Sequence, residues 1–161
     1  VASPGELAAR IVTVLTERQQ TLATAESLTG GLLGAAITAM PGASNVYRGG
    51  VIAYATELKA VLLGVPAGLL ARHGPVHPDV AAAMAAGVRD RLGATWGVAT
   101  TGVAGPDAVD GHPPGTVHIS ASTGVAVTRS FALVGGRDEV RRATVGEVLR
   151  LLWNVLREEG P

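Results

Sequence analysis

Thr21-Leu22-Ala23-Thr24-Ala25-Glu26-Ser27-Leu28-Thr29-Gly30-Gly31-Leu32 holds the pattern on which the rest of the chain is built. Thr21–Ala25 predicts a short strand of small side chains, and Glu26–Gly31 predicts a turn. Leu32–Met40 follows as a helix, until Pro41-Gly42 stops it. A hydroxyl at Ser27, just past a strand and just before a helix that starts near Thr29, stands at the end of a sheet. The free N–H groups of a helix start are then beside it.

The same pattern recurs outward from this stretch. Gly50–Tyr54 predicts a strand running into a helix over about Thr56–Leu63. Trp96–Thr101 predicts a strand running into a second glycine turn, Gly102-Val103-Ala104-Gly105-Pro106-Asp107. Upstream, Leu7, Ile11, Val14 and Leu15 recur at helical spacing after Ser3-Pro4, a cap followed by proline at the first helical position. Val80–Leu92 is an alanine-rich helix opened by Pro78-Asp79. Downstream, Thr116–Ser122 and Val125–Leu133 are β-rich runs joined by Thr123-Gly124, a hairpin signal. Gly135-Gly136-Arg137-Asp138 then opens a last helix through about Arg157. Strands alternating with helices early and a hairpin late predict an α/β fold: one mixed β-sheet with helices packed on it, in a single domain over residues 1–161.

Composition narrows the function classes. The chain is 47% hydrophobic and 16% charged, globular in character, and with 3% aromatics its core must be packed from Ala, Val, Leu and Ile. Net charge is zero and no basic run tracks a phosphate backbone, so nucleic acid is not expected as a partner. Zero cysteines exclude disulfides, thiol catalysis and Cys-ligated zinc. The four histidines are read as scattered and without a metal-ligand spacing such as His-x-x-x-His, so neither a metal nor another cofactor is expected. Apolar runs are broken well short of the ~20 residues of a membrane span, and no charged-then-apolar leader opens the sequence, so a cytoplasmic protein without membrane contact is expected.

Thirteen residues are Lys or Arg, and all but Lys59 are arginine. Arginine keeps its proton at any accessible pH, whereas a lysine amine becomes neutral when buried. Lys59 is therefore a candidate general base, against the alternative that one lysine is left by chance. If Thr56 caps its helix, Lys59 falls at the third position, where the helix terminus disfavours a cation by only about 0.3–1 kcal/mol. Lowering an amine from ~10.4 to near 7 takes roughly 4–5 kcal/mol, so burial must supply most of it. Tyr54 would relay a proton or orient the amine, or simply pack on the sheet.

Ser27 is the candidate nucleophile. Gly30 and Gly31 would leave room for a carbonyl to reach the helix N–H groups as an oxyanion site; an ordinary helix start is the alternative. No Gly-x-Ser-x-Gly elbow or His-Asp pair completes a familiar triad. The Gly102–Asp107 turn suits close approach of backbone to ligand, and the amides of Gly102–Gly105 are the other candidate oxyanion donors, although the turn lacks the spacing of a dinucleotide site. Arg137, Arg141 and Arg142 at the start of the last helix could grip a phosphate or form a solvated face with Asp138 and Glu139.

Taken in order, these segments resemble the CinA C-terminal domain family. The likeness rests on Thr24-Ala25-Glu26-Ser27 with Thr29-Gly30-Gly31, Pro41-Gly42-Ala43-Ser44, Tyr54 with Glu57 and Lys59, and Leu63-Gly64-Val65. It continues through His73-Gly74, Gly102–Asp107, Pro114-Gly115-Thr116-Val117 and Arg137-Asp138-x-Val140-Arg141-Arg142. Stand-alone members are nicotinamide-nucleotide amidases. The resemblance implies hydrolysis of the carboxamide of nicotinamide mononucleotide to ammonia and nicotinate mononucleotide, with Ser27, Tyr54 and Lys59 as the catalytic set. Thr29, Gly30, Gly31, Gly102, Ala104, Gly105, Arg137, Arg141 and Arg142 are the expected substrate-binding positions, and a homo-oligomer is expected. The chain departs from the family pattern at Leu28, often Cys, and at Ala55-Thr56, often Ser-Asn, which would alter pocket shape. A non-catalytic nucleotide-binding module and a serine amidase for another small amide are the alternatives.

Overall fold

A computed structural model describes residues 1–160. Among them are α1 (Pro4–Arg18), β1 (Leu22–Glu26), α2 (Leu32–Thr38), β2 (Tyr47–Ile52), α3 (Thr56–Leu63), α4 (Ala67–His73), α5 (Pro78–Leu92), β3 (Trp96–Gly102), β4 (Thr116–Ser122), β5 (Ala126–Ala132) and α6 (Arg137–Glu159). The five strands form one mixed sheet in the order β2-β1-β3-β4-β5. β1 pairs in parallel with β2 and β3, while β4 pairs antiparallel with β3 and β5.

Alternation along the strands divides the core between the two faces of the sheet. Leu22, Trp96 and Val98 point to one side, where they meet Ile11 and Leu15 of α1, Leu33 and Ile37 of α2, and Val148, Leu149 and Leu152 of α6. Ala23, Ala25 and Ala99 point to the other, against Leu63 of α3 and Val80, Met84, Ala85 and Val88 of α5. Small residues on that second face let α5 lie close to the sheet. A Cβ on Gly97 would collide with the Ala85 carbonyl, so glycine is required there by the approach itself.

β1 is followed by α2 on one face, and β3 is preceded by α5 on the other. The chain therefore leaves β1 in one direction for β2 and returns on its other side at β3, so a crevice opens at the carboxyl ends of these parallel strands. Ser27 follows β1, Tyr54 and Lys59 follow β2, and Gly102–Asp107 spans the end of β3. The three segments with chemical potential are thereby brought to one end of the sheet.

Several boundaries differ from expectation. β2 begins at Tyr47 and ends at Ile52, leaving Tyr54 beyond the strand. α2 begins at Leu32, not near Thr29, because Gly30 (φ 54°) and Gly31 (φ 106°) adopt left-handed conformations that hold the turn open for two more residues. α4, and a 3₁₀ turn at Ala43–Asn45, were not anticipated. Ala55, not Thr56, caps α3 and makes no side-chain cap bond, which puts Lys59 at the fourth helical position.

Candidate active site

A cleft of about 390 Å³ lies at the carboxyl ends of the parallel strands, lined in part by Ser27, Tyr54, Lys59, Gly102, Gly105 and Arg137. That is within the range of small-molecule sites, roughly 300–1,000 Å³.

Lys59 is 0% exposed at the bottom of this cleft. Its Nζ donates to Ser27 Oγ at 2.9 Å, to the Ala53 carbonyl at 2.7 Å and to the Tyr54 carbonyl at 3.4 Å. Burial pushes the amine down from 10.5 to about 8, with the nearby Glu57 opposing. A neutral amine has two N–H groups and one lone pair. The two carbonyls take the N–H groups, and the lone pair is left facing the serine hydroxyl.

Ser27 is held from below. Its N–H donates to the Thr100 carbonyl and Oγ1, and Thr100 Oγ1 also bonds Thr29 Oγ1 at 2.9 Å. Thr29 is thus a buried support of the turn and not a lining residue of the cleft. Thr100 was not singled out by the sequence, though paired threonines at the end of an apolar strand are the trace it leaves there.

The expected oxyanion site at Gly30 and Gly31 is not what the structure presents. Glu26, buried at 2% exposure, takes the Gly31 and Leu33 N–H groups on Oε1 (3.1 and 2.9 Å) and the Gly34 N–H on Oε2 (3.1 Å). The Gly30 N–H donates to the Ser27 carbonyl. A carboxylate therefore occupies the donors of the helix start, where negative charge is favoured. The second glycine turn differs: the Ala104 and Gly105 N–H groups have no protein acceptor among the described residues, and both residues line the cleft.

Tyr54 is 60% exposed and meets Lys59 only through its backbone carbonyl. Its hydroxyl accepts from Arg137 Nη2 at 3.2 Å, an arrangement that does not serve a proton relay to the amine. Arg137 also donates through Nη1 to the Gly105 carbonyl at 2.6 Å, so one guanidinium spans the cleft mouth from Tyr54 to the Gly102–Asp107 turn. The other two arginines turn away. Arg141 donates to the Leu28 and Thr29 carbonyls (2.9 and 3.4 Å) and braces the serine turn. The exposed Arg142 pairs with Asp138 at 2.8 Å on the surface.

The histidines are also not scattered. His73 and His77 stand four residues apart, their rings stack with centroids 4.0 Å apart, and together with Asp79 they bring three ligand atoms within 4.8 Å of one another. His73-Gly74-Pro75-Val76-His77 is itself a His-x-x-x-His spacing, so the expectation of scattered histidines misread the sequence.

With the geometry in hand, known proteins give the context. The family model described as CinA C-terminal domain matches residues 5–156. The chain belongs to the CinA C-terminal domain family. A CinA-like protein of Frankia casuarinae is 52% identical over 91% of this chain but 34% of its own length. Another from Synechococcus sp. is 48% identical over 94% of this chain and 37% of its own length. The chain thus spans about a third of the curated CinA relatives it matches. Solved CinA structures are covered almost entirely. A CinA superfamily protein from Klebsiella pneumoniae aligns at TM-score 0.93 with 31% identity, over 98% of this chain and 99% of its own. The competence/damage inducible protein CihA from Agrobacterium tumefaciens aligns at 0.91 with 35% identity, over 98% and 97%. The mixed sheet with helices on both faces is accordingly the CinA C-terminal fold. Among the described residues no helix is long and apolar enough to cross a membrane.

Proposed function

We propose that this CinA-family chain is a serine amidase that converts nicotinamide mononucleotide to nicotinate mononucleotide and ammonia. The observation that carries the reading is the buried Lys59 amine 2.9 Å from Ser27 Oγ, pushed down to about 8. Ser27 Oγ attacks the carboxamide carbon while Lys59 Nζ takes the hydroxyl proton, so a buried cation forms only as the anion on the substrate oxygen develops. The Ala104 and Gly105 N–H groups, without acceptors among the described residues, are the donors for that oxyanion in place of Gly30 and Gly31. Lys59 then returns the proton to the amide nitrogen, and the C–N bond breaks to release ammonia and leave an acyl ester on Ser27. Water adds to the ester carbon, Lys59 takes its proton, and collapse restores Ser27 with release of the carboxylic acid.

Arg137 is the phosphate ligand in this reading, since of the three candidate arginines it is the one lining the cleft. Tyr54 holds that guanidinium and walls the mouth, contributing to substrate fit and not to proton transfer. The test is the joint appearance of ammonia and nicotinate mononucleotide when purified, EDTA-treated protein is given the mononucleotide. A panel of other small amides run beside it separates this substrate from a different serine-amidase specificity. Nucleotide binding without either product would leave the non-catalytic module.

A further inference from the structure

We propose that His73, His77 and Asp79 form a second site on this chain, which binds a divalent transition-metal cation of the zinc class behind the cleft wall. His73 closes α4, His77 caps α5 and Asp79 stands at the second position of α5. Two imidazoles and one carboxylate are a nitrogen–oxygen donor set suited to Zn²⁺ and Co²⁺ and poorly suited to Mg²⁺ or Ca²⁺, which take oxygen ligands. The three ligand atoms lie within 4.8 Å of one another. Ligands sharing a tetrahedral zinc at ~2.0–2.1 Å stand roughly 3.3 Å apart, so closure needs a shift of about 1.5 Å.

The side chains that must move are free to do so. His73 and Asp79 are exposed, and His73 rotates out of its stack on His77 to bring its lone pair to the shared point. His77 Nδ1 accepts the Asp79 N–H at 3.1 Å and lies 3.8 Å from Asp79 Oδ2. The cation takes that lone pair in place of the N–H, and the Asp79 carboxylate comes in as its neighbour and offsets the added positive charge at the helix start. Because one cap bond is exchanged on binding, the site is a reversible one and not a structural zinc. Further donors stand close by. The Asp110 carboxylate lies against Gly74, next to His73, and His118 lies within electrostatic reach of His77 and His112.

The consequence lies in what the site is attached to. Pro75 and Val76, between the two histidines, line the cleft, and the Pro75 carbonyl accepts from Thr101 Oγ1 at 2.6 Å. A bound cation clamps α4 to α5 and fastens this wall, a part it plays outside the Ser27–Lys59 chemistry.

The test reads the metal and not turnover, so its outcome is independent of the amidase reading. Untagged, EDTA-stripped full chain is titrated with Co²⁺ and followed by visible absorption, with circular dichroism and thermal melting of each metal-free variant as the folding control. The site predicts one equivalent of Co²⁺ with the intense d–d absorption of four- or five-coordination, bleached by Zn²⁺. It also predicts a rise in Tm with metal. His73→Gln and His77→Asn should each weaken binding about tenfold or more. The second keeps a side chain able to cap α5, and His112→Gln should leave the titration unchanged. Pale six-coordinate absorption, or an affinity indifferent to both His73→Gln and His77→Asn, would overturn the proposal. Should one variant fail to fold, the other together with Asp79→Asn decides.

Discussion

Lys59 faces three oxygens, the Ser27 hydroxyl and two backbone carbonyls, none of which carries a charge to hold its proton in place. Arginine in that position would stay charged and would have to be buried so, which gives physical content to the one lysine among twelve arginines. Ser27→Ala should lower turnover by on the order of 10⁴–10⁶ while nucleotide affinity and melting stay near wild type, measured by ammonia release and calorimetry. Activity above a tenth of wild type would remove Ser27 as nucleophile. At the mouth, Arg137→Ala should weaken the mononucleotide about tenfold to a hundredfold more than its unphosphorylated riboside, the worth of one charge-assisted contact. Arg141→Ala should instead affect both ligands alike and lower the melting temperature, since that side chain braces the Leu28 and Thr29 carbonyls. Equal losses for both ligands in Arg137→Ala would take the phosphate away from that residue.

At the scale of elements, the serine turn is set by what lies beneath it. Glu26 carries three N–H groups of the α2 start on one carboxylate, and its own carbonyl accepts from Ala53, whose carbonyl grips Lys59. Glu26→Gln replaces one acceptor oxygen by an NH₂ that faces N–H donors. It should cost about 1–3 kcal/mol, read as a lower urea midpoint at unchanged m value. An unchanged midpoint would show that water or neighbouring groups take those donors equally well. The order of elements was legible because the strand–turn–helix signals are local: Thr21–Gly31 and Gly102–Asp107 announce themselves through glycine and short polar residues. Ser27 and Lys59 were legible by residue type and spacing. Both glycine turns were legible as candidate oxyanion sites, but the choice between them was not, because whether an N–H is free depends on a carboxylate reaching it across five to eight residues. Ranking Arg137 above Arg141 and Arg142 likewise depends on which way each side of α6 faces. Thr100 supports Ser27 from a strand 73 residues away, beyond the reach of any local pattern. The His-x-x-x-His spacing of His73 and His77 stood in the sequence and was overlooked; that Asp79 joins the pair depends on how α5 starts.

For the molecule as a whole, one buried amine links stability to pH and to rate. Between about 8 and 10.5 the unfolded chain holds a proton on Lys59 that the native state has given up. Stability therefore rises with pH across that window and lies at its lower level below about 8. The shift is on the order of 3 kcal/mol, from which a lost bond to the Ala53 carbonyl subtracts, so Lys59→Met should stabilise the inactive fold by about 2 kcal/mol at pH 7. The gain should shrink toward pH 10, and urea melts at the two pH values check it. At pH 7 the amine is a cation in both states, so a destabilised Lys59→Met would mean that its surroundings stabilise the buried charge and do not push its pKa down. Folding cost and catalytic use then have the same origin, a lysine whose proton is loosened by burial at the sheet end. The pH dependence of kcat/KM for ammonia release from nicotinamide mononucleotide examines this most directly. A general base at Lys59 predicts a rate that falls tenfold per pH unit below about 8. A profile flat from pH 6 to 9, or a limb at the value of an ordinary lysine, would contradict it.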